Sequence, residues 1–209
     1  MFGWRGKIGL MLPARNQVME GDLNENAPEG VSVHATRLRR DRDVSDVATN
    51  NGMLRYADDA AELLSQAGVD VAVLGCTAAS FIGGPGEDVE LSRRLQEKSG
   101  IPTCTASTAI VDALRAMECT KLTIITPSID EINEREDIFF RGNGFEILTL
   151  KGMGIRQTSN LPKTLPSRIY QFSKDNFAEG SDALFISCTN FRAVEVIPYL
   201  ERDLKVPVV

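Results

Sequence analysis

Apolar runs closed by glycine or proline recur along the chain, and stretches with helical spacing separate them. The runs near Lys7–Leu12, Val31–Leu38, Val69–Gly75, Ile101–Thr105, Lys121–Thr126, Phe145–Leu150, Ala183–Ser187 and Val206–Val209 predict eight strands, four in each half. Helical periodicity over Met53–Ala67, Val89–Ser99, Ser107–Met117, Asp130–Arg141, Leu165–Ala178 and Arg192–Leu204 predicts the intervening helices. Strand alternating with helix implies βαβ units, hence parallel sheets with right-handed crossovers. The nearly unbroken apolar character of Val71–Leu74 and Ala183–Ile186 fits strands covered on both faces.

The pattern is also a repeat. Lys7-Ile8-Gly9-Leu10-Met11-Leu12-Pro13, followed by Asn16 and Glu20, is echoed by Lys121-Leu122-Thr123-Ile124-Ile125-Thr126-Pro127, followed by Asp130 and Glu134. Val71-Ala72-Val73-Leu74-Gly75-Cys76-Thr77 is echoed by Ala183-Leu184-Phe185-Ile186-Ser187-Cys188-Thr189. Pro13 and Cys76 are 63 residues apart and Pro127 and Cys188 are 61 apart, so the halves run in near register. The expected fold is α/β: two similar Rossmann-like halves, each with a four-stranded parallel sheet, related by a pseudo-twofold axis. Such packing opposes Cys76 and Cys188 across one cleft. The division falls near Thr105–Met117, giving halves 1–110 and 111–209; no Pro/Ser-rich linker marks it, so an extensive shared interface is expected. The strand at Ile101–Thr105 is followed by a helix, and by the repeat a further helix is expected after Val206–Val209.

Composition adds exclusions. With 209 residues, 43% hydrophobic and 25% charged, the chain can bury one sizeable core or two small ones. A net charge of −6 argues against nucleic acid or an anionic membrane as partner, because both require a concentrated basic footprint. Arg37, Arg39, Arg40 and Arg42 are interleaved with Asp41 and Asp43 and read as a solvated edge. No apolar stretch approaches the roughly 20 residues of a membrane span, and the N-terminus has no signal-peptide pattern, so a cytoplasmic protein is expected. The four cysteines form no C-x-x-C pair and are expected to be reduced. The single histidine, His34, lies in an alternating run and reads as a strand position. A Ser-His-Asp triad or multi-histidine metal site is poorly supplied; neither metal nor cofactor is expected.

Ligands of parallel α/β sheets bind beyond the carboxyl ends of strands. Pro13–Asn16, Cys76-Thr77, Pro127–Asp130 and Cys188-Thr189-Asn190 all fall there. A cysteine entering a helix N-terminus can have its thiolate stabilised below the ordinary pKa of about 8.5, and the same N–H groups can hold a carboxylate. One strand-end cysteine alone would read as a small buried hydrophobe. Two at equivalent repeat positions, each followed by threonine, read as a site. Cys104 and Cys119 have no such partner. Asn16 fits either the cleft or a helix cap; Asn160, in Gln157–Pro162, reads by composition as a turn residue. The glycines of Phe81–Gly86 match no dinucleotide or phosphate-loop fingerprint and read as a surface loop.

Pro13-x-x-Asn16, Gly75-Cys76-Thr77 and Ser187-Cys188-Thr189-Asn190-Phe191-Arg192 resemble the aspartate/glutamate racemase superfamily. Within it the chain is most similar to the branch holding maleate cis-trans isomerase and arylmalonate decarboxylase, and to maleate isomerase in particular, from about Lys7 to Val209. The resemblance implies a cofactor-independent enzyme, expected to be dimeric, that takes a small dicarboxylate between its halves and converts maleate to fumarate. Carried over, Cys76 adds to the double bond and Cys188 moves the proton. Asn16 and Asn160 would bind carboxylates, with Thr77, Ala78, Thr189 and Asn190 supplying further donors. Ser128 stands where relatives often carry a tyrosine, and its shorter reach implies a wider pocket or a bridging water. Three alternatives stay open: an amino-acid racemase, for which Asp130 could hold the ammonium; a malonate-type decarboxylase, which needs only one thiol; and a catalytically silent carboxylate-binding protein.

Overall fold

The computed structural model describes residues 2–209. The first half contains β1 (Gly6–Pro13), α1 (Met19–Asn26), β2 (Val31–Leu38), α2 (Val47–Met53), α3 (Ala57–Gln66), β3 (Val71–Leu74), α4 (Thr77–Phe81), α5 (Glu87–Ser99), β4 (Thr103–Thr105) and α6 (Ala106–Ala116). The second contains β5 (Lys121–Thr126), α7 (Asp130–Gly142), β6 (Glu146–Gly152), α8 (Pro166–Asp175), β7 (Ala183–Ile186) and α9 (Ile197–Leu204). Both sheets are parallel, in the orders β2-β1-β3-β4 and β6-β5-β7. The eighth predicted strand is reduced to a single bridge between Val208 and Leu184 on the outer edge of β7. Pro207 brings no N–H to a ladder there and only accepts, from Leu184 N at 3.0 Å. The second sheet is therefore three strands and a bridge, not four strands, in the same spatial order as the first.

The repeat is visible in hydrogen bonds as well as in topology. Lys7 N donates to Asp70 Oδ2 at 2.7 Å and Asp70 N returns a bond to Lys7 O at 2.9 Å. Lys121 and Asp182 repeat the clasp at 2.9 and 2.7 Å. At the other end of the same strands, Gly75 N donates to Met11 O at 2.9 Å and Ser187 N to Ile125 O at 2.8 Å. Each pair of central strands is thus pinned at both ends, which sets where Cys76 and Cys188 leave the sheet.

The halves share a core. Phe81 and Ile82 of the first half, with Val111 and Leu114 of α6, form one buried cluster with Ile124, Ile132, Phe139, Phe140 and Phe185. The Phe81 and Phe139 rings are 6.2 Å apart and Phe139 meets Phe140 edge to face at 5.3 Å. The Phe81–Gly86 segment is accordingly not a plain surface loop. Its Phe81 and Ile82 are buried, and Pro85 lies so close to Gly142 that a Cβ there would sit 2.1 Å from the proline ring. Among the described residues, no helix is long and apolar enough to cross a membrane, and no group of three or more His, Cys, Asp or Glu is placed to hold a metal ion.

Candidate active site

β1, β3, β5 and β7 deliver their carboxyl ends to one cleft between the halves, at the point in each sheet where the strand order reverses. Cys76, Thr77 and Ala78 line it from the first half and Ser128, Cys188, Thr189 and Asn190 from the second, with Asn16 beside them. Its cavity volume is about 50 Å³. A site for one water needs about 10–15 Å³ on that measure, so the room suits a small molecule.

The two sulfurs leave equivalent strands but on different backbone conformations. Cys76 is extended (φ −146°, ψ 105°) immediately before α4, and the N–H groups of Ala78 and Ala79 face its sulfur. Cys188 follows β7 with φ +97°, a conformation that side-chain-bearing residues rarely adopt, and the N–H of Asn190 faces its sulfur. Strain of this kind costs on the order of 1–3 kcal/mol and collects at functional positions. Ser187 N on Ile125 O and Phe191 N on Cys188 O, at 2.8 and 3.1 Å, hold it in place.

The backbone N–H groups favour both thiolates, but burial outweighs them and both thiols are shifted upward. Burial pushes the Cys76 thiol up, outweighing the Arg40 charge and the two N–H groups. Burial, the neighbouring Cys76 and Glu136 push Cys188 up to about 12. Beside Cys76, α4 is only five residues long, so its macrodipole is small against the cost of desolvating a thiolate. Both groups are therefore thiols in the free protein at neutral pH.

The polar wall knits the halves together. Asn16 Oδ1 accepts from Val18 N and Met19 N, both at 3.1 Å, while its amide donates to Thr189 Oγ1 at 3.0 Å. Thr189 Oγ1 in turn donates to Gly75 O at 2.9 Å. Asn190 Oδ1 accepts from Gln17 N at 2.8 Å and its amide donates to Arg15 O at 3.2 Å. Asn16 is thus both a cap for the start of α1 and a cleft residue, with a second amide hydrogen still to give. Ser128 lines the cleft with its backbone N–H on Thr126 Oγ1 at 2.9 Å.

Asn160 is not brought into the cleft. It lies in a 3₁₀ turn over Thr158–Lys163, where three residues per turn put Thr158 and Leu161 on the cleft face and Asn160 on a separate, open groove. Its amide donates to Gln157 Oε1 at 2.9 Å and its carbonyl accepts from Lys163 Nζ at 3.3 Å. Asp130 also faces another surface groove. Among the described residues no Asp or Glu lines the cleft, whereas Arg15 and Arg40 do.

Three residues in or behind the cleft wall were not read from the sequence. Arg40 is buried rather than part of a solvated edge; Leu38 and Arg40 are buried while Arg37, Arg39 and Asp41 are exposed, so the period-two alternation of β2 runs on past its last residue. Asp43 stands behind the cleft wall, outside the cavity, accepting from Thr158 Oγ1 and Ser159 Oγ at 2.6 Å and Ser159 N at 2.9 Å. The Ser159 and Thr158 hydroxyls hold its carboxyl down at about 2. Glu136 is 1% exposed on α7, and neither carboxyl oxygen has a hydrogen-bond partner. The helical stripe Ile132, Glu136, Phe139, Phe140 was the signal that places it inside.

Burial raises the Glu136 pKa to about 8, with the nearby Ser187 hydroxyl, beyond hydrogen-bond geometry, acting in the opposite direction. Its folded pKa lies above the ordinary 4.5, so the folded state binds this proton more tightly than the unfolded chain does. The associated stability is fully present below about 4.5 and is lost as pH rises towards about 8. Glu136→Gln, which stays neutral, is expected to be more stable than the parent at pH 8 by roughly 3–5 kcal/mol, with the gap closing below pH 5. Urea unfolding at several pH values reads this directly; parallel pH curves for the two proteins would contradict it.

Fold and cleft together define a class: a duplicated α/β protein that sets one cysteine from each half at a shared cavity whose charged side chains are guanidinium groups. The sequence model of the arylmalonate decarboxylase family matches residues 8–209, and the chain belongs to that family. It is 29% identical over 154 residues to arylmalonate decarboxylase of Bordetella bronchiseptica, an alignment covering 73% of this chain and 64% of that enzyme. It is 25% identical over 216 aligned positions to maleate isomerase of Pseudomonas putida, covering 97% and 86% respectively. The structure superposes with a TM-score of 0.91 on a cysteine-to-serine variant of Nocardia farcinica maleate cis-trans isomerase carrying a covalently bound succinylcysteine intermediate, at 20% identity over 98% of this chain and 86% of that one.

Proposed function

We propose that the protein is a cofactor-independent cis-trans isomerase of a small unsaturated dicarboxylate, converting maleate to fumarate through Cys76 and Cys188. The observation that carries this reading is the composition of the cleft wall: two thiols, two guanidinium groups and no carboxylate. A diacid without an amine suits such a wall. An amino acid does not, because its ammonium would be desolvated beside cations with no anion to meet it.

The chemistry balances on sulfur. Cys76 first gives its proton to solvent; its sulfur then bonds to one alkene carbon, the π pair shifts to the other carbon, and that carbon takes the thiol proton of Cys188, leaving Cys188 as the thiolate that later takes it back. The carbon–carbon bond is now single and rotates. Reversal of each transfer expels Cys76 and leaves the trans alkene. Charge developing on the carboxylate beside the carbanionic carbon is met by the second amide hydrogen of Asn16 and by the wall donors.

Because Cys76 sits above its ordinary pKa, its thiolate fraction grows tenfold per pH unit through the neutral range. Log kcat/KM for maleate is expected to rise with a slope near 1 between about pH 7 and 9. A flat profile there would show that thiol ionisation does not limit the addition.

A second reading is favoured by the identity to arylmalonate decarboxylase. In it Cys188 alone protonates the enediolate left by departing carbon dioxide. Proton NMR of the purified protein with maleate, phenylmalonate and D- or L-aspartate in turn separates the readings. Fumarate from maleate is the expected result; phenylacetate from phenylmalonate, with maleate untouched, would replace the isomerase by the decarboxylase.

A further inference from the structure

Arg40 is only 7% exposed and lines the cleft, yet every partner of its guanidinium is neutral. Nη1 donates to Asn50 Oδ1 at 3.1 Å and approaches Met53 Sδ at 3.8 Å, and Nη2 donates to Val44 O at 2.8 Å. Nε is buried with no acceptor at all. Arg15, the other guanidinium at the cleft, differs: it donates to Arg40 O and Arg42 O at 3.0 and 3.1 Å and lies 3.7 Å from Asp43. Buried charges in folded proteins are normally paired, because an isolated one forfeits its hydration without recompense. Here a fixed cation meets the cleft without an anion of its own, and its field reaches both sulfurs, opposing the burial that raises Cys76 and Cys188.

We propose that Arg40 is the specificity-determining residue of the cleft: its guanidinium binds one of the two substrate carboxylates, so that four-carbon diacids are selected over monoacids. The planar fork of a guanidinium matches a carboxylate, and buried Asn50 together with the Val44 carbonyl orients that fork before substrate arrives. An arginine here also supplies a donor on a wall where Ser128 has little reach. The assignment rests on the cleft being the active site, but not on which reaction occurs there.

Succinate and butyrate test it, since they share a chain length, differ by one carboxylate and have no double bond to isomerise. Calorimetric titration of the wild-type protein is expected to show succinate bound at least about tenfold more tightly, the discrimination a charge-assisted pair provides. Arg40→Gln should lose that preference while binding butyrate as before, and Arg40→Lys should keep part of it. Should Arg40→Gln fail to fold, the guanidinium Nε–H resonance of Arg40 in the wild-type protein should shift with succinate and stay in place with butyrate. Equal affinity of the wild-type protein for the two acids, a preference surviving in Arg40→Gln, or an unmoved Arg40 resonance would each overturn the proposal. A protein that prefers succinate through Arg40 yet leaves maleate unchanged would refute the isomerase reading alone.

Discussion

Cys76→Ala is expected to abolish fumarate formation, with a loss of at least about 10⁴-fold, the scale on which removal of a covalent nucleophile acts. The argument is one of bond order. Rotation about the central bond of maleate requires the π bond to be broken, and in the proposed mechanism Cys76 adds across it, from the end of β3 with the N–H groups of Ala78 and Ala79 against its sulfur. The remaining cleft would still bind a diacid, because the guanidinium groups and Asn16 are untouched. Succinate affinity should therefore stay within a few-fold of the parent while maleate turnover vanishes. Cys76 is buried and alanine is slightly smaller, so the folded state is kept. Residual turnover within tenfold of the parent would show that Cys76 is not the nucleophile.

Cys188→Ala is expected to lose about 10²–10⁴-fold in turnover, the range for a removed general acid–base group. The failure should differ in kind. Cys76 can still add to the alkene and water can supply a proton to the neighbouring carbon, but no sulfur is then placed to take that proton back. A succinyl adduct on Cys76 should accumulate over minutes to hours instead of turning over. Loss of turnover with no adduct would place Cys188 in the addition step itself, as an obligatory proton donor.

The duplicated strands were legible because a buried parallel strand is a nearly unbroken apolar run, and the repeat carried Cys76 and Cys188 to equivalent positions. The Asp70 and Asp182 clasps stood at matching offsets in the same repeat and went unread because their partners are backbone atoms. The helix α1 was missed because none of its eight residues is buried, so it imposes no apolar period. α4 is too short to show one. Arg40 was misread because a run of mixed charge masks the alternation that continues from β2, and Glu136 because a charged residue on an apolar stripe is ordinarily excluded from a core. Asn160 failed for geometric reasons, since a 3₁₀ turn rotates it away from the face that Thr158 and Leu161 share. The direction of the thiol shifts depends on how completely the cleft excludes water, a property of packed halves that no spacing of residues records.

The central claim, that one bound diacid lies between two working thiols, is tested most directly by incubating Cys188→Ser with maleate and mapping the modified peptide by mass spectrometry. The account predicts one succinyl group per chain, on Cys76, and protection when succinate is present. An unmodified Cys76, or equal labelling of Cys104 and Cys119, would contradict it.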